Sequence, residues 1–291
     1  MNEGKIESKG EMDPRNTLND LSGKDWVKHT ISWFTLKVRP RSKDEKNHPG
    51  KFPEELCLRF IEYFTKRGQW VIDPFAGTGS TLIASRSLGR NAVGIELNRE
   101  FAEIAARGLN RPSLDATFLG TKQRIFVGDA RKLPELLQDY SKESFHLCMT
   151  SPPYWNMLGK LRGGSDSQHR KRAEIGLNLT YSNSADDVGN IEEYEEYLGT
   201  LGTIFRQLKS FLASGAYLII ILQNIRDEKG EMRPLAWDLA RKLSDIYKQR
   251  QEQIWCQTDK PAGIWGYPKT YVSNVHHHYA LVFQKTDVSQ L

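Results

Sequence analysis

The fold is decided by residues 71–81, which read Val-Ile-Asp-Pro-Phe-Ala-Gly-Thr-Gly-Ser-Thr. An apolar run predicts a buried strand that ends at Asp73, and the following helix is predicted to begin at Ser80. Between them, Gly77 and Gly79 allow the backbone to approach a ligand closely. A strand, a glycine-containing turn and a helix in this order are typical of a ligand crevice at the carboxyl edge of a parallel sheet.

The same alternation of short apolar runs and helical stretches continues on both sides of this loop. Apolar spacing predicts helices over 53–66, 80–88, 99–107, 131–140, 192–212 and 233–249. A buried strand is predicted over 70–72, and further strands over 91–97, 124–127, 145–149, 216–222, 253–257 and 279–283. This alternation predicts βαβ units in an α/β doubly wound fold, with a mostly parallel sheet and helices on both of its faces.

The composition of the 291-residue chain excludes several classes of protein. Charged residues make up 26% and hydrophobic residues 38%, which is typical of a globular protein. The longest strongly apolar run, 216–222, is far shorter than the ~20 residues of a membrane span, so no membrane association is expected. The N-terminus lacks an apolar signal region and the three cysteines form no C-x-x-C pair, so we expect a cytoplasmic protein without a metal site.

Three segments depart from the regular alternation. Residues 1–23 are polar and predict a flexible arm, which leaves residues 24–291 as a single domain. Residues 156–190 have the composition of a loop and are unusually long for one, which is typical of a functional loop. The acidic run over 186–196 predicts a solvated helix start, where negative charge is favourable.

Three carboxylates follow successive predicted strands, at Asp73, Glu96 and Asp129. Each of them could alone be a helix cap or a turn former. Together they suit a ligand with an amino group and a ribose, and they suit a polyphosphate poorly because like charges repel. The third glycine of a dinucleotide fingerprint and the lysine of a phosphate loop are missing, so S-adenosylmethionine is favoured over a dinucleotide or ATP.

A second motif follows the fourth predicted strand and reads Thr150-Ser151-Pro152-Pro153-Tyr154. Its two prolines stiffen the turn and remove two backbone donors, so the carbonyls of Ser151 and Pro152 can accept from a ligand. Tyr154 is expected to be exposed and able to stack on a planar base. A Pro-Pro turn alone could be structural, but its place after a cofactor loop favours a catalytic role.

In these two motifs the chain resembles the DNA amino-methyltransferases, which methylate the exocyclic amine of cytosine (N4) or adenine (N6). Residues 73–81 are similar to the family's cofactor motif, and Ser151 to Tyr154 match its (Asp/Asn/Ser)-Pro-Pro-(Tyr/Phe/Trp) motif. Phe52-Pro53-Glu54-Glu55-Leu56 and the segment 274–285 are similar to two further family elements. The resemblance covers roughly residues 48–285 and implies a Rossmann-like, S-adenosylmethionine-dependent methyltransferase fold with seven strands.

The resemblance also implies a role for each site residue. A flipped base would donate hydrogen bonds from its amine to Ser151 Oγ and the Pro152 carbonyl, and would stack on Tyr154. Methyl transfer would be direct, with no covalent intermediate, and the catalytic set would be Ser151, Pro152, Pro153 and Tyr154. The S-adenosylmethionine cofactor would be held by Phe52, Pro53, Asp73, Pro74, Phe75, Ala76, Gly77, Thr78, Gly79, Ser80, Thr81, Glu96, Leu97, Asp129 and Ala130.

Serine at position 151 is associated, in the family, with cytosine-N4 enzymes more than with adenine-N6 enzymes. The expected function is therefore cytosine-N4 methylation of DNA, either in a restriction-modification system with a cognate endonuclease as a partner or to mark the genome. Adenine-N6 methylation, RNA base methylation and a non-catalytic cofactor-binding subunit are the alternatives. Many relatives carry the two motifs in the reverse order, and a separate target-recognition domain has no room here. DNA recognition is therefore expected from residues 156–190, from residues 24–51 or from a second subunit in a homodimer. Weak sequence specificity is the alternative.

The formal net charge of +5 is concentrated in two predicted loops. Residues 37–51 hold six basic and two acidic residues, and residues 160–172 hold five basic residues and one aspartate. Each loop is therefore net +4, and the rest of the chain is net −3. Loops of this charge suit the phosphates of double-stranded DNA, and the candidate contacts are Lys37, Arg39, Arg41, Lys43, Arg162, Arg170, Lys171 and Arg172.

Overall fold

A computed structural model describes residues 11–40, 50, 52–110, 120–140, 142, 144–155, 186–227, 231–264 and 267–286. In chain order its α-helices are α1 (Gly23–Lys28), α2 (Glu54–Phe64), α3 (Ser80–Ser87), α4 (Arg99–Leu109), α5 (Leu133–Leu136), α6 (Tyr194–Lys209) and α7 (Leu235–Leu243). Its strands are β1 (Trp33–Phe34), β2 (Trp70–Asp73), β3 (Asn91–Glu96), β4 (Gln123–Val127), β5 (Phe145–Thr150), β6 (Leu212–Leu222), β7 (Ile225–Arg226), β8 (Met232–Arg233), β9 (Lys248–Cys256) and β10 (His277–Gln284). Two 3-10 helices cover Ala130–Lys132 and Val188–Asn190.

Eight strands form the main sheet, in the order β1-β9-β10-β6-β5-β2-β3-β4. All neighbouring pairs are parallel except those made by β10, which is antiparallel to both β6 and β9. The expectation of a doubly wound, mostly parallel α/β sheet is confirmed, and each of the seven predicted strands is present. The two-residue β1, which the sequence did not predict, adds an eighth strand at one edge.

Helices cover both faces of the sheet because successive strand residues point to opposite sides. On one face, Ile72 and Leu218 pack with α6 and α7 in a buried cluster. On the other face, Val71 and Ile219 pack with α2 and α3. Within the described residues, no helix has the length and apolar character needed to cross a bilayer.

The predicted helix over 233–249 is wrong at its C-terminal end. Helix α7 ends at Leu243, and Lys248 already begins β9, which pairs with β10 along its length. The first five residues of β9 are exposed and polar, so no alternating apolar pattern marks this part as a strand. Backbone pairing with a neighbouring strand, rather than side-chain burial, holds these residues in the sheet.

The described half of the predicted flexible arm, residues 11–23, is instead anchored to the domain. Asn19 is fully buried, and its amide donates to the carbonyl of Tyr63 near the end of α2. Asp20 lies 3.3 Å from the buried guanidinium of Arg90. These polar contacts need no apolar periodicity, which explains why the sequence pattern did not predict them.

Gly79 is the position where the cofactor-type loop comes closest to a neighbouring helix. It precedes α3 with a φ of +84°, and a Cβ atom added there would lie 2.8 Å from the Cβ of Ala105 in α4. Both the backbone angle and the contact therefore require glycine.

Replacing Gly79 with alanine is expected to lower the free energy of unfolding by about 2–4 kcal/mol, from left-handed strain plus the clash with α4. Gly68→Ala is the matched control, because Gly68 has a φ of +79° but no atom within 4 Å of the added Cβ. That variant should lose only about 1 kcal/mol, from strain alone. Urea unfolding of the two variants measures both losses, and equal losses would contradict the clash.

Candidate functional site

The predicted site residues meet at the carboxyl edge of the sheet, where β2 and β5 are neighbours. Ile72 in β2 pairs with Cys148 in β5, so the loop after each strand emerges beside the other. An open cavity lies there. Its wall includes both the glycine loop and the turn that begins at Ser151.

Asp73 lies beneath this cavity rather than in its wall. Its side chain is fully buried and accepts hydrogen bonds from Thr81 Oγ1 and Thr150 Oγ1, both at 2.6 Å, and from the Phe75 backbone N–H at 3.0 Å. Burial raises the pKa of Asp73 from 3.8 to about 6. The carboxylate therefore joins the loop after β2 to the end of β5, and so holds the two motifs together.

Glu96, at the end of β3, is in the wall of the cavity. One of its oxygens accepts from the Gly77 N–H at 2.7 Å and the other from the Asn98 N–H at 2.8 Å. Burial raises the pKa of Glu96 from 4.5 to about 7, although both backbone hydrogen bonds favour the charged form. The side chain is fixed in one orientation at the place where a ligand hydroxyl could donate to it.

Asp129 follows β4 and is tied to Arg131. The Arg131 guanidinium lies 2.7 Å from an Asp129 oxygen and also 2.7 Å from an oxygen of Asp186. Asp186 belongs to the segment that follows the long loop, and both aspartates line the cavity. Arg131 therefore links two sides of the cavity wall.

Two hydroxyl groups complete the glycine loop. Ser80 Oγ donates to the carbonyl of Phe52 at 2.9 Å, which brings the Phe-Pro-Glu-Glu-Leu element against this loop. The Oγ1 of Thr78 is buried and has no hydrogen-bond partner among the described residues, although Thr78 lines the cavity. This hydroxyl is therefore available to pair with a ligand or a water in the cavity.

The Ser-Pro-Pro-Tyr turn contributes Ser151 and Pro153 to the cavity wall. The hydroxyl of Tyr197, in α6, donates to the Pro153 carbonyl at 2.8 Å, which fixes the turn from below. This bond uses the Pro153 carbonyl, whereas the predicted acceptor for a base amine is the Pro152 carbonyl.

The expectation that Tyr154 is exposed is wrong, because only 8% of the residue is accessible. Its ring lies 6.3 Å from that of His278, which in turn lies 5.1 Å from the ring of Trp255. Burial lowers the pKa of His278 from 6.5 to about 3, so its imidazole is neutral at neutral pH. The histidine that lies against the turn is therefore His278, whose ring lies between those of Tyr154 and Trp255, so that the three form an aromatic wall.

The structure divides the predicted cofactor residues into two groups. Those beside the cavity are Phe52, Pro74, Phe75, Ala76, Gly77, Thr78, Ser80, Glu96, Leu97, Asp129 and Ala130. The others support the loop from outside the cavity wall, namely Pro53, Asp73, Gly79 and Thr81. The roles of all these residues toward a ligand stay predictions.

The sequence did not predict that Asp187 and Val188 belong to the site. Both are buried and line the cavity, and Asp187 Oδ1 accepts from the Gly189 N–H at 2.8 Å. The prediction that the run over 186–196 is solvated is thus wrong at Asp187, whereas Asp186 is exposed. The available signal was an aspartate followed by an apolar residue, which is typical of a short capped helix.

The predicted DNA contacts are only partly described. Lys37 is exposed, and Arg39 forms an ion pair with Glu54 of α2 at 2.5 Å. The remaining six candidates lie outside the described residues, namely Arg41, Lys43, Arg162, Arg170, Lys171 and Arg172.

Comparison with known proteins finds sequences that are similar to part of this chain. Residues 5–107 match a family model described as DNA methylase, N6/N4 type. A type II methyltransferase from Methanothermobacter thermautotrophicus is 38% identical over 75 residues, which cover 26% of this chain and 21% of that protein. A DNA adenine methyltransferase from Escherichia coli is 36% identical over 78 residues, or 27% of this chain and 26% of that protein. The matched parts therefore span about a quarter or less of the curated relatives' own length.

Among solved structures, a SAM-dependent methyltransferase from Methanosarcina mazei is similar at a TM-score of 0.47 and 14% identity. The alignment covers 78% of this chain and 97% of that protein.

Proposed function

We propose that the chain, whose residues 5–107 match a DNA methylase family model, is a DNA methyltransferase that uses S-adenosylmethionine to modify the exocyclic amine of a base. The observation that carries this proposal is a single cavity whose wall holds both the glycine loop and the turn at Ser151. A methyl donor on one side and a base amine on the other would then lie in one site, as direct transfer requires.

The cavity fits S-adenosylmethionine by its charges and its hydroxyls. The cofactor carries a sulfonium and an ammonium, and four acidic residues contribute to the wall, which are Glu96, Asp129, Asp186 and Asp187. Thr78 Oγ1 would donate to the carboxylate of the cofactor, and Glu96 would accept from its ribose. When bound, the cofactor supplies a methyl group activated on sulfur.

The residues of the turn would hold the base. Ser151 Oγ and the Pro152 carbonyl would accept hydrogen bonds from the exocyclic amine and direct its lone pair toward the methyl group. The bond from Tyr197 to the Pro153 carbonyl keeps the turn in place while the base enters. Because Tyr154 is buried, its ring would support the base only from the wall that it forms with His278.

The affinity for S-adenosylmethionine is expected to fall as the pH is lowered, because Glu96 becomes protonated. The pKa of Glu96 is about 7, and the charged carboxylate is the better acceptor for ribose hydroxyls and the better partner for a cationic ligand. The dissociation constant should therefore be about tenfold higher at pH 6 than at pH 8. Calorimetric titration at both pH values measures this ratio.

Glu96→Gln is the control for the pH effect, because glutamine keeps the shape of the side chain but cannot ionise in this range. Its dissociation constant should be higher than that of the wild type at pH 8 and should change little between the two pH values. If the dissociation constant of this variant depended on pH as strongly as that of the wild type, the titrating group would not be Glu96.

The proposed target is the N4 amine of cytosine, since the first residue of the catalytic motif is Ser151. Adenine-N6 is the second candidate, because one of the relatives is described as a DNA adenine methyltransferase. Unmethylated genomic DNA treated with the protein and S-adenosylmethionine, then digested to nucleosides, distinguishes the two by mass spectrometry. N4-methylcytosine is the expected product. N6-methyladenine would replace the first target with the second, and the absence of both would contradict the proposed function.

Double-stranded DNA is the proposed partner, and the basic segments 37–51 and 160–172 would bind its phosphates. A cognate restriction endonuclease is a further proposed partner, since a matched relative is described as a type II methyltransferase. Recognition through a second copy of the chain is also part of the proposal, and light scattering of the purified protein with and without DNA tests it.

A further inference from the structure

The loop between β9 and β10, residues 257–276, rises from the same edge of the sheet as the cavity. Because β10 runs antiparallel to β6, the first residues of β10 lie beside the carboxyl end of β6, where Tyr279 pairs with Leu222. His278 places this end of β10 against Tyr154 of the catalytic turn. The loop is therefore a neighbour of the site on the side where a base would enter.

Hydrogen bonds fix the lower part of this loop. The Gln257 N–H donates to the His276 carbonyl at 2.8 Å. Further out, the Gly263 N–H donates to Asn274 Oδ1, and the Asn274 amide donates back to the Gly263 carbonyl, both at 2.9 Å. The ammonium of Lys260 donates to the Val275 carbonyl at 3.1 Å. The loop thus has a hydrogen-bonded stem.

Beyond this stem, the loop exposes large side chains. Ile264, Tyr267 and Tyr271 are 86%, 82% and 88% accessible. In the described part of the chain these are the three most exposed large hydrophobic residues. Packing within the fold does not explain such exposure on a fixed stem, and three large exposed side chains within eight residues of one loop suit a binding surface.

We propose that Tyr267 and Tyr271 stack on DNA bases that become exposed when the target base leaves the helix. This inference deepens the proposed function and rests on it. Every base offers a flat face, so aromatic side chains bind unstacked bases without needing a particular sequence. Side chains that enter an opened step also stabilise the distorted duplex.

Two observations favour DNA over a protein as the occupant. The loop is continuous with the edge where the base must enter, through the contact between His278 and Tyr154. It also carries two lysines, Lys260 and Lys269, against the single acidic residue Asp259, so its charge does not repel phosphates.

The test compares the binding of the full-length protein to two fluorescein-labelled duplexes of the same sequence, one fully paired and one with a single central abasic site. The abasic site offers an open step without requiring knowledge of the target sequence. Fluorescence anisotropy should show that the wild type binds the abasic duplex about tenfold more tightly. The double variant Tyr267→Ala/Tyr271→Ala should lose this preference.

The double variant Tyr267→Phe/Tyr271→Phe is the matched control, since it keeps both rings and should keep the preference. A preference that survives in the alanine variant would overturn the inference. An alanine variant with altered mass in light scattering but unaltered preference would also overturn it, because the rings would then contact protein.

Methylation of genomic DNA by the wild type is measured separately. A wild type that methylates DNA but shows no preference for the abasic duplex overturns the role of the loop and leaves the proposed function standing. A wild type that neither binds nor methylates DNA overturns both.

Discussion

Replacing Ser151 with alanine is expected to lower the rate of DNA methylation about 10²-fold, because the base amine loses the acceptor that orients its lone pair. The affinity for S-adenosylmethionine should stay near that of the wild type. Most of the cofactor contacts are predicted for the glycine loop, Glu96 and Asp129, which this substitution leaves intact. Single-turnover methylation measures the rate, and calorimetry measures the affinity.

Ser210→Ala serves as the control for this experiment. Ser210 is exposed at the end of α6, and its hydroxyl donates only to the nearby Gln207 carbonyl. Its loss should leave both the rate and the affinity unchanged. Full methylation activity in Ser151→Ala would remove Ser151 from the catalytic set, and a parallel loss of cofactor affinity would make its role one of cofactor binding.

Replacing Asp73 with alanine is expected to lower the free energy of unfolding by about 3 kcal/mol or more, because it leaves buried donors without an acceptor. The donors are the hydroxyls of Thr81 and Thr150 and the Phe75 N–H. Since the carboxylate joins the loop after β2 to β5, cofactor binding should also be lost. Urea unfolding and calorimetry measure the two effects.

Asp139→Ala is the control for stability, because Asp139 is exposed and its ion pair with Arg124 lies on the surface. Its loss should change the free energy of unfolding by less than about 1 kcal/mol. A similar small effect in Asp73→Ala would show that the buried hydrogen bonds contribute little.

The pH dependence of stability gives a second test of Asp73. Its pKa is raised from 3.8 to about 6 in the folded protein, so between these values the folded state binds more protons than the unfolded state. Stability from this group is therefore complete below about pH 4 and is lost as the pH rises through about 6. In Asp73→Asn this part of the slope should be absent, while the contribution of Glu96 remains.

Local sequence patterns were sufficient to predict the strands and the cofactor-type loop. Short apolar runs between turn residues predict β2, β3, β5 and β6 because these strands are buried in the interior of the sheet, and β4 is predicted although it is a partly exposed edge strand. The first half of β9 did not follow this pattern, since residues 248–252 are exposed and polar. Its structure depends on pairing with β10, a long-range contact that a local pattern does not contain.

Part of the site was also predictable from the sequence, and part of it was not. The strand-end carboxylates and the Ser-Pro-Pro-Tyr turn were predictable because each directly follows a predicted strand. The end of that strand determines where they lie. The burial of Tyr154 and the place of Asp187 were not predictable, because both depend on residues far away in the chain. The ring of His278 lies against Tyr154, and Asp187 lies where Gly189 meets Pro153.

The order of strands in the sheet has a consequence for how a gene can encode this fold. Strands β2, β3 and β4 form one contiguous block, and β5, β6, β10 and β9 form another, with the seam between β2 and β5. Each block comes from a continuous piece of chain, on either side of residues 141–143. Exchanging the two pieces by circular permutation would leave every strand pair within each block unchanged. A chain that carries the two pieces in the opposite order could therefore form the same seam between β2 and β5.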